Sequence, residues 1–183
     1  GRPGDVAMDI GGGSTEFICG PGAGESVSIP MGVVVVSTLL PLSDPPEEWE
    51  VRAVSYYAAR RIGDGTRVFG RRRFRRLVGT AGTFTTLAAL EKRMRRYDPA
   101  GINGTILSVA AVRKWARRLC GMKDAQRLRL PGMEKGRERY IVPGLLMARA
   151  AVERFGVNGL TVSDAGLLEG ILAGIGTNGG KSA

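Results

Sequence analysis

The sequence predicts an α/β domain built on a mixed sheet, and three observations carry that prediction. Three short apolar segments follow one another near the start, separated by glycine-rich turns, which is the pattern of an antiparallel meander. Two later β-branched segments, Leu77-Val78 and Leu160-Thr161-Val162, each run into a stretch with helical character. Finally, 183 residues with 43% hydrophobic and 24% charged side chains match one globular domain with a real core, not a disordered or collagen-like chain.

The first strand is Asp5 to Ile10, an apolar run that carries an acid at Asp9 and ends in Gly11-Gly12-Gly13. Thr15 to Cys19 and Ser26 to Ile29 complete the meander, with Gly20-Pro21-Gly22-Ala23-Gly24 as the second turn. Val33 to Leu40 is β-branched, far shorter than the roughly 18 to 20 residues of a membrane span, and reads as a buried strand. After the break at Pro41 to Pro46, Glu47 and Glu48 open a helix running to about Arg61, with Ser43 or Asp44 as its cap. Leu77-Val78 begins a strand that turns through Gly79-Thr80-Ala81-Gly82-Thr83 into a helix from about Phe84 to Arg96. Ser108 caps a helix whose apolar positions Val112, Trp115, Ala116 and Leu119 share one face. A long helix is expected from about Glu134 to Phe155, kinked at Pro143 and stopped by Gly156. The last strand leads to a helix capped by Ser163 or Asp164 and reaching about Gly174. Residues 1–175 therefore form one lobe with five strands, and 176–183 a flexible tail.

Composition removes several chemistries. There is no histidine, which excludes Ser-His-Asp hydrolysis, Cys-His proteolysis and most zinc sites. Cys19 and Cys120 lack metal-ligand spacing and read as free thiols in a reducing, cytoplasmic setting. No secretory signal or membrane span is visible. Catalysis must then use carboxylates, hydroxyls, backbone amides and a hard cation.

Asp9-Ile10-Gly11-Gly12-Gly13-Ser14-Thr15-Glu16 offers that set. A carboxylate at the end of a buried strand needs a cation or donors beside it. The glycines permit positive φ and let successive N–H groups converge on an anion, Ser14 and Thr15 add hydroxyls, and Glu16 brings a second acid back across the hairpin. Phosphate held by amides, with Mg²⁺ held by carboxylates through water, fits these groups; a hairpin that binds nothing is the plainer alternative. Gly79 to Thr83 is a second turn of the same kind, placed before a helix N-terminus, where phosphate or simple helix–strand packing would each explain its glycines. Gly176 to Ser182 looks like a P-loop but has Ile175 at the first glycine position.

The net charge of +10 is uneven: Arg60 to Arg96 holds twelve Lys or Arg against Asp64 and Glu91. A solvated face, a nucleic-acid patch and a track for a polyanionic substrate compete for this run. Aromatics are only 6% and are not interleaved with the charges, which counts against nucleic acid.

With these residues in hand, the chain resembles the exopolyphosphatase/guanosine pentaphosphate phosphohydrolase (Ppx/GppA) family, over essentially its whole length. Asp9 to Glu16 looks like the family's second phosphate motif, and Gly79 to Thr83 like its later glycine motif. Arg137 to Gly144 resembles its Arg-x-Asp helix, and Val162 to Gly170 its closing Ser-Asp-x-Gly-x-x-Glu-Gly segment. The resemblance implies a ribonuclease H-like lobe of the actin-like ATPase superfamily. It also implies Mg²⁺-assisted hydrolysis of the terminal phosphate of polyphosphate or of pppGpp, by water and without a covalent intermediate. By that resemblance Asp9 and Glu16 would hold metal or order water, and Gly11, Gly12, Gly13, Ser14 and Thr15 would bind phosphate. Gly82 and Thr83 would assist, and Arg137 would either structure the site or meet the anionic substrate.

The family's first lobe, with its general base, would precede Gly1, so this chain is expected to be inactive alone and to need that lobe as partner. A homodimer is a further possibility in the full-length protein. Leu168, Arg139 and Val35 depart from the family pattern, where Arg, Asp and Arg are frequent. A sugar- or acetate-kinase-like ATP-binding lobe and a non-catalytic polyanion-binding module are the rival readings.

Overall fold

The computed structural model describes residues 4–20 and 25–164. Strands β1 (Asp5–Ile10), β2 (Thr15–Cys19) and β3 (Glu25–Ile29) form the antiparallel meander read from the sequence. β4 (Arg76–Thr80) pairs parallel to β1, and β6 (Gly159–Val162) pairs parallel to β4. One strand went unforeseen: β5 (Ile106–Ser108) pairs antiparallel to β6 at the edge. The sheet is thus six-stranded, not five, in the order β3-β2-β1-β4-β6-β5.

Alternation sorts the strands into two faces. Val6, Met8, Ile10, Phe17, Leu77, Leu160 and Val162 are buried beneath the helices. At the core Phe155 lies 5.6 Å from Phe17, 4.9 Å from Phe74 and 6.4 Å from Phe69 between ring centroids. On the opposite face, Ser28, Glu16, Asp9 and Thr80 are neighbours in one row across four strands. That polar row lies at the C-terminal ends of the parallel strands, where α/β sheets place their ligands.

The helices are α1 (Val33–Leu39), α2 (Glu48–Gly65), α3 (Gly82–Glu91), α4 (Pro99–Ile102), α5 (Val109–Cys120), α6 (Asp124–Arg127) and α7 (Ile141–Phe155). Ser108 caps α5 as expected, its hydroxyl accepting from Ala111 N at 3.1 Å. Four expectations are corrected. The run at Val33 is a helix, because carbonyls of the first glycine turn capture its leading amides. The cap of α2 is Glu47, whose backbone N–H donates to Glu50 at 2.7 Å, while Ser43 N–H and hydroxyl also donate to that buried carboxylate. α3 stops at Glu91, and Arg93 follows with φ of 51°. α7 begins only at Ile141, after Gly136 turns the chain at φ of 90°. Pro143 therefore falls in the first turn, where a missing N–H costs nothing, and no kink arises.

Gly156 ends α7 in the left-handed conformation, as expected. Cys19 is buried, Cys120 half-buried, and both are free thiols. The expected last helix and tail lie outside the described residues, as does most of the Gly20 to Gly24 turn.

Candidate active site

The first glycine turn is fixed by what its carbonyls do. Gly11 O accepts from Val33 N at 3.0 Å, Gly12 O from Val34 N at 3.0 Å, and Gly13 O from Gly32 N at 3.1 Å. With the carbonyls engaged on α1, the Gly12, Gly13 and Ser14 amides find no backbone partner among the described residues. Three successive N–H groups are thus left without a backbone acceptor. None of the three glycines has positive φ, contrary to the sequence expectation. At Gly13 an added Cβ would meet nothing within 4 Å, so the backbone there is open to approach. Gly32 is required from the other side, since its Cβ would lie 2.3 Å from Gly12 carbonyl atoms.

The acids lie beside this turn. Asp9 and Glu16 are directly paired across β1 and β2. Burial pushes the Asp9 carboxyl above its ordinary pKa, the Thr80 hydroxyl counteracts this, and the Glu16 charge adds to the rise. Thr80 Oγ1 is buried and makes no hydrogen bond of ordinary geometry, so its influence on Asp9 is that of a nearby dipole. Glu16 Oε1 accepts from Ser14 Oγ at 2.5 Å and Ser28 Oγ at 2.8 Å, which fixes its direction. Thr15, by contrast, is buried and donates its hydroxyl to Met31 O at 2.5 Å; the side chain anchors the turn from beneath.

The second glycine turn faces the first. Ala81 precedes α3 with φ of 70° and ψ of 179°, a region that is essentially glycine-only. Backbone strain of this kind concentrates at ligand clamps, and the alanine gives no sign of it in the sequence. Gly82 is bare because the Arg137 guanidinium lies on it: an added Cβ would be 2.1 Å from Nη1. Gly144 of α7 has Thr83 in the same relation, its Cβ position lying 2.4 Å from Thr83 Oγ1. These two close approaches bring the residues before α7 against the start of α3. Arg137 is half exposed, and Glu134 approaches it at 3.8 Å.

Together these parts enclose a cleft of about 450 Å³ whose walls include Gly11, Gly12, Ala81, Gly82, Thr83 and Arg137. Lys135 and Tyr140 also line it, and neither was singled out from the sequence. The Arg71 to Arg76 run leads into the start of β4 and so lies at the far end of the sheet, a strand length from the cleft. Its members Arg72 and Arg76 pair with Glu25 and Asp5.

A hard divalent cation fits the donor set. Two adjacent carboxylates, one with its pKa raised by burial and further by the other's charge, gain from a cation between them, and the neighbouring hydroxyls can accept hydrogen bonds from its waters. Among the described residues no group of three or more acidic or cysteine ligands exists, so such an ion would keep much of its water shell.

A mixed sheet with a meander edge, a polar row at its C-terminal strand ends and two opposed glycine turns define a lobe of the actin-like ATPase fold. The chain belongs to the Ppx/GppA phosphatase family, whose sequence model matches residues 4–178. Exopolyphosphatase 2 of Mycobacterium tuberculosis is 36% identical over 171 residues, covering 91% of this chain and 54% of that protein. The bifunctional 3-dehydroquinate synthase/phosphatase of Fusobacterium nucleatum is 26% identical over 179 residues, 93% of this chain and 26% of that protein. Among solved structures, the Aquifex aeolicus Ppx/GppA family member matches with a TM-score of 0.87 and 30% identity, over 100% of this chain and 59% of the other. An exopolyphosphatase from Cytophaga hutchinsonii gives a TM-score of 0.80 at 25% identity, over 95% and 57% of the two chains. The chain thus spans about half the length of the curated exopolyphosphatase it matches.

Proposed function

We propose that this chain forms one wall of a phosphoanhydride hydrolase site that releases the terminal phosphate of inorganic polyphosphate or of pppGpp. Gly12, whose amide is free, and Arg137, lying on Gly82, line one cleft, with the free Gly13 and Ser14 amides next along the same turn; this juxtaposition carries the reading. The paired carboxylates of Asp9 and Glu16 stand on the two strands joined by that turn, and the set suits a phosphoryl group bridged to a cation. A divalent metal such as Mg²⁺, held by Asp9 and Glu16 largely through water, would neutralise charge on the phosphoryl oxygens.

The amides hold the phosphoryl oxygens and need no reorganisation as charge develops, because α1 pins their peptide groups. Glu16 is oriented by two serine hydroxyls and keeps a water or the cation in register with Asp9. Arg137 supplies a planar cation at the mouth. A base within hydrogen-bond reach of the attacking water is still needed, and the family's first lobe is its expected source. No helix among the described residues is long and apolar enough to cross a membrane. A cytoplasmic location and assembly of the whole protein as a homodimer belong to the same proposal.

Tripolyphosphate and pppGpp, each with Mg²⁺, test the reading. The chain is expected to bind tripolyphosphate, to lose that binding in Arg137→Ala, and to release phosphate only when a first lobe is supplied. Turnover by the chain alone would overturn the divided site, and absence of tripolyphosphate binding would overturn the phosphate reading.

A further inference from the structure

The polar row across the sheet holds its two acids unequally. Glu16 Oε1 receives the Ser14 and Ser28 hydroxyls at 2.5 and 2.8 Å, so its direction is fixed from two sides. Asp9, half-buried near the end of β1, has no such pair of bonded hydroxyls among the described residues, and the donor set against it is Thr80. β1 and β4 run parallel with Asp9 opposite Thr80, so the two side chains emerge side by side on one face of the sheet.

Thr80 is held there by its backbone and not by its hydroxyl. The residue is only 5% exposed, and Oγ1 is buried with no hydrogen-bond partner among the described residues. Its neighbours in the chain are both fixed: Gly79 O accepts Ser163 N–H at 2.9 Å, and Ala81 takes the strained backbone that opens the second glycine turn. A β-branched side chain on such a backbone has little rotamer freedom. A buried hydroxyl without an acceptor costs stability, and the fit of a strand does not ask for it, since valine suits the same position. The group beside it that can use the proton is the Asp9 carboxylate, whose charged form the Thr80 hydroxyl already favours.

We propose that Thr80 is a positioning residue for the divalent cation: its hydroxyl donates to one oxygen of the Asp9 carboxylate and leaves the other for the ion or its water. This rests on the reading of Asp9 and Glu16 as the groups that hold the cation. Thr80 then does for Asp9 what Ser14 and Ser28 do for Glu16. Carboxylates that hold metals are themselves hydrogen-bonded, and loss of such a partner weakens metal binding about 10- to 100-fold. Because Oγ1 is buried, Thr80 acts through Asp9 and touches neither the ion nor the phosphate. The orphaned hydroxyl is thereby explained: its acceptor is set in place only when the carboxylate turns to a cation.

Calorimetry of the full chain with Mg²⁺ alone, on wild type, Thr80→Val, Thr80→Ser and Asp9→Asn, tests this, with metal-free thermal melts of each. Thr80→Val keeps the shape of the side chain and removes the hydroxyl. It is expected to weaken Mg²⁺ binding about tenfold without lowering the metal-free Tm, because the metal-free protein makes no hydrogen bond there to lose. Thr80→Ser returns the hydroxyl and should recover most of the affinity. Unchanged Mg²⁺ affinity in Thr80→Val, or no recovery in Thr80→Ser, would overturn the proposal. A Thr80→Val protein whose metal-free Tm falls along with its affinity would also overturn it, since the residue would then be structural. Failure of wild type to bind Mg²⁺, or wild-type affinity in Asp9→Asn, would instead sink the cation reading of the two acids.

Discussion

Replacing Gly32 with Ala would put a methyl group 2.3 Å from the Gly12 carbonyl carbon and oxygen and 2.5 Å from Gly13 N. The backbone there, at φ of −102° and ψ of 173°, suits any residue, so the effect is steric alone. Ordinary contact begins near 3.4 Å, so the turn must retreat by about 1.1 Å from α1. The obstacles are backbone atoms held by four hydrogen bonds of 3.0 to 3.3 Å between the turn and the start of α1, and they have no flexible end to swing aside. Overpacking of this kind costs about 1–3 kcal/mol. In a domain of this size that lowers Tm by roughly 2–4 °C per kcal/mol. If the proposed phosphate role of the turn's amides holds, a shift of about 1 Å should also cut turnover about 100-fold.

Gly13→Ala is the matched control, because its Cβ meets nothing within 4 Å and its φ lies outside the left-handed region. It should keep stability within about 0.5 kcal/mol of wild type. It should nevertheless weaken tripolyphosphate binding, since the new methyl occupies the ligand's path. Thermal melts and calorimetry on both variants decide the matter. A Gly32→Ala protein with wild-type Tm and affinity, or a Gly13→Ala protein with wild-type affinity, would refute the reasoning.

Three further outcomes are expected. Gly82→Ala collides only with the movable end of Arg137, so tripolyphosphate affinity should fall while Tm stays near wild type, checked by the same two methods. Asp9→Asn removes a half-buried charge that burial and Glu16 disfavour, so the variant should melt no lower than wild type near neutral pH and should lose the stabilisation that Mg²⁺ gives; a melt series with and without Mg²⁺ reads this. Tyr97 has its pKa pushed up from 10.0 to about 12 by burial and by the hydrogen bond it donates to Asp164. The folded form holds that proton more tightly than the unfolded chain, so the stability it adds is complete below pH 10 and fades as pH rises toward 12. Tyr97→Phe should flatten that alkaline decline, followed by denaturant melts across the range.

Local pattern determined much of this protein. Alternation and glycine placement gave β1 and β2 their limits, Ser108 its cap, and the two glycine turns their positions, because each depends on residues within one turn or strand. The Asp9 and Glu16 pair was legible for the same reason, since a short hairpin fixes its own register. What escaped the sequence depends on partners far along the chain. Val33 to Leu39 is as β-branched as any strand here, yet it is helical because carbonyls some twenty residues earlier satisfy its first amides. Ala81 takes a glycine-only conformation that its identity does not announce. Arg137 meets Gly82, and Tyr140 lines the cleft, only because α7 packs its Gly144 against Thr83. The sequence by itself determined the chemistry on offer, through residue types at short spacing. Tertiary packing alone decided which of those groups face one cleft, because close approach between distant segments is set by the fit of bare glycines to the atoms that lie on them.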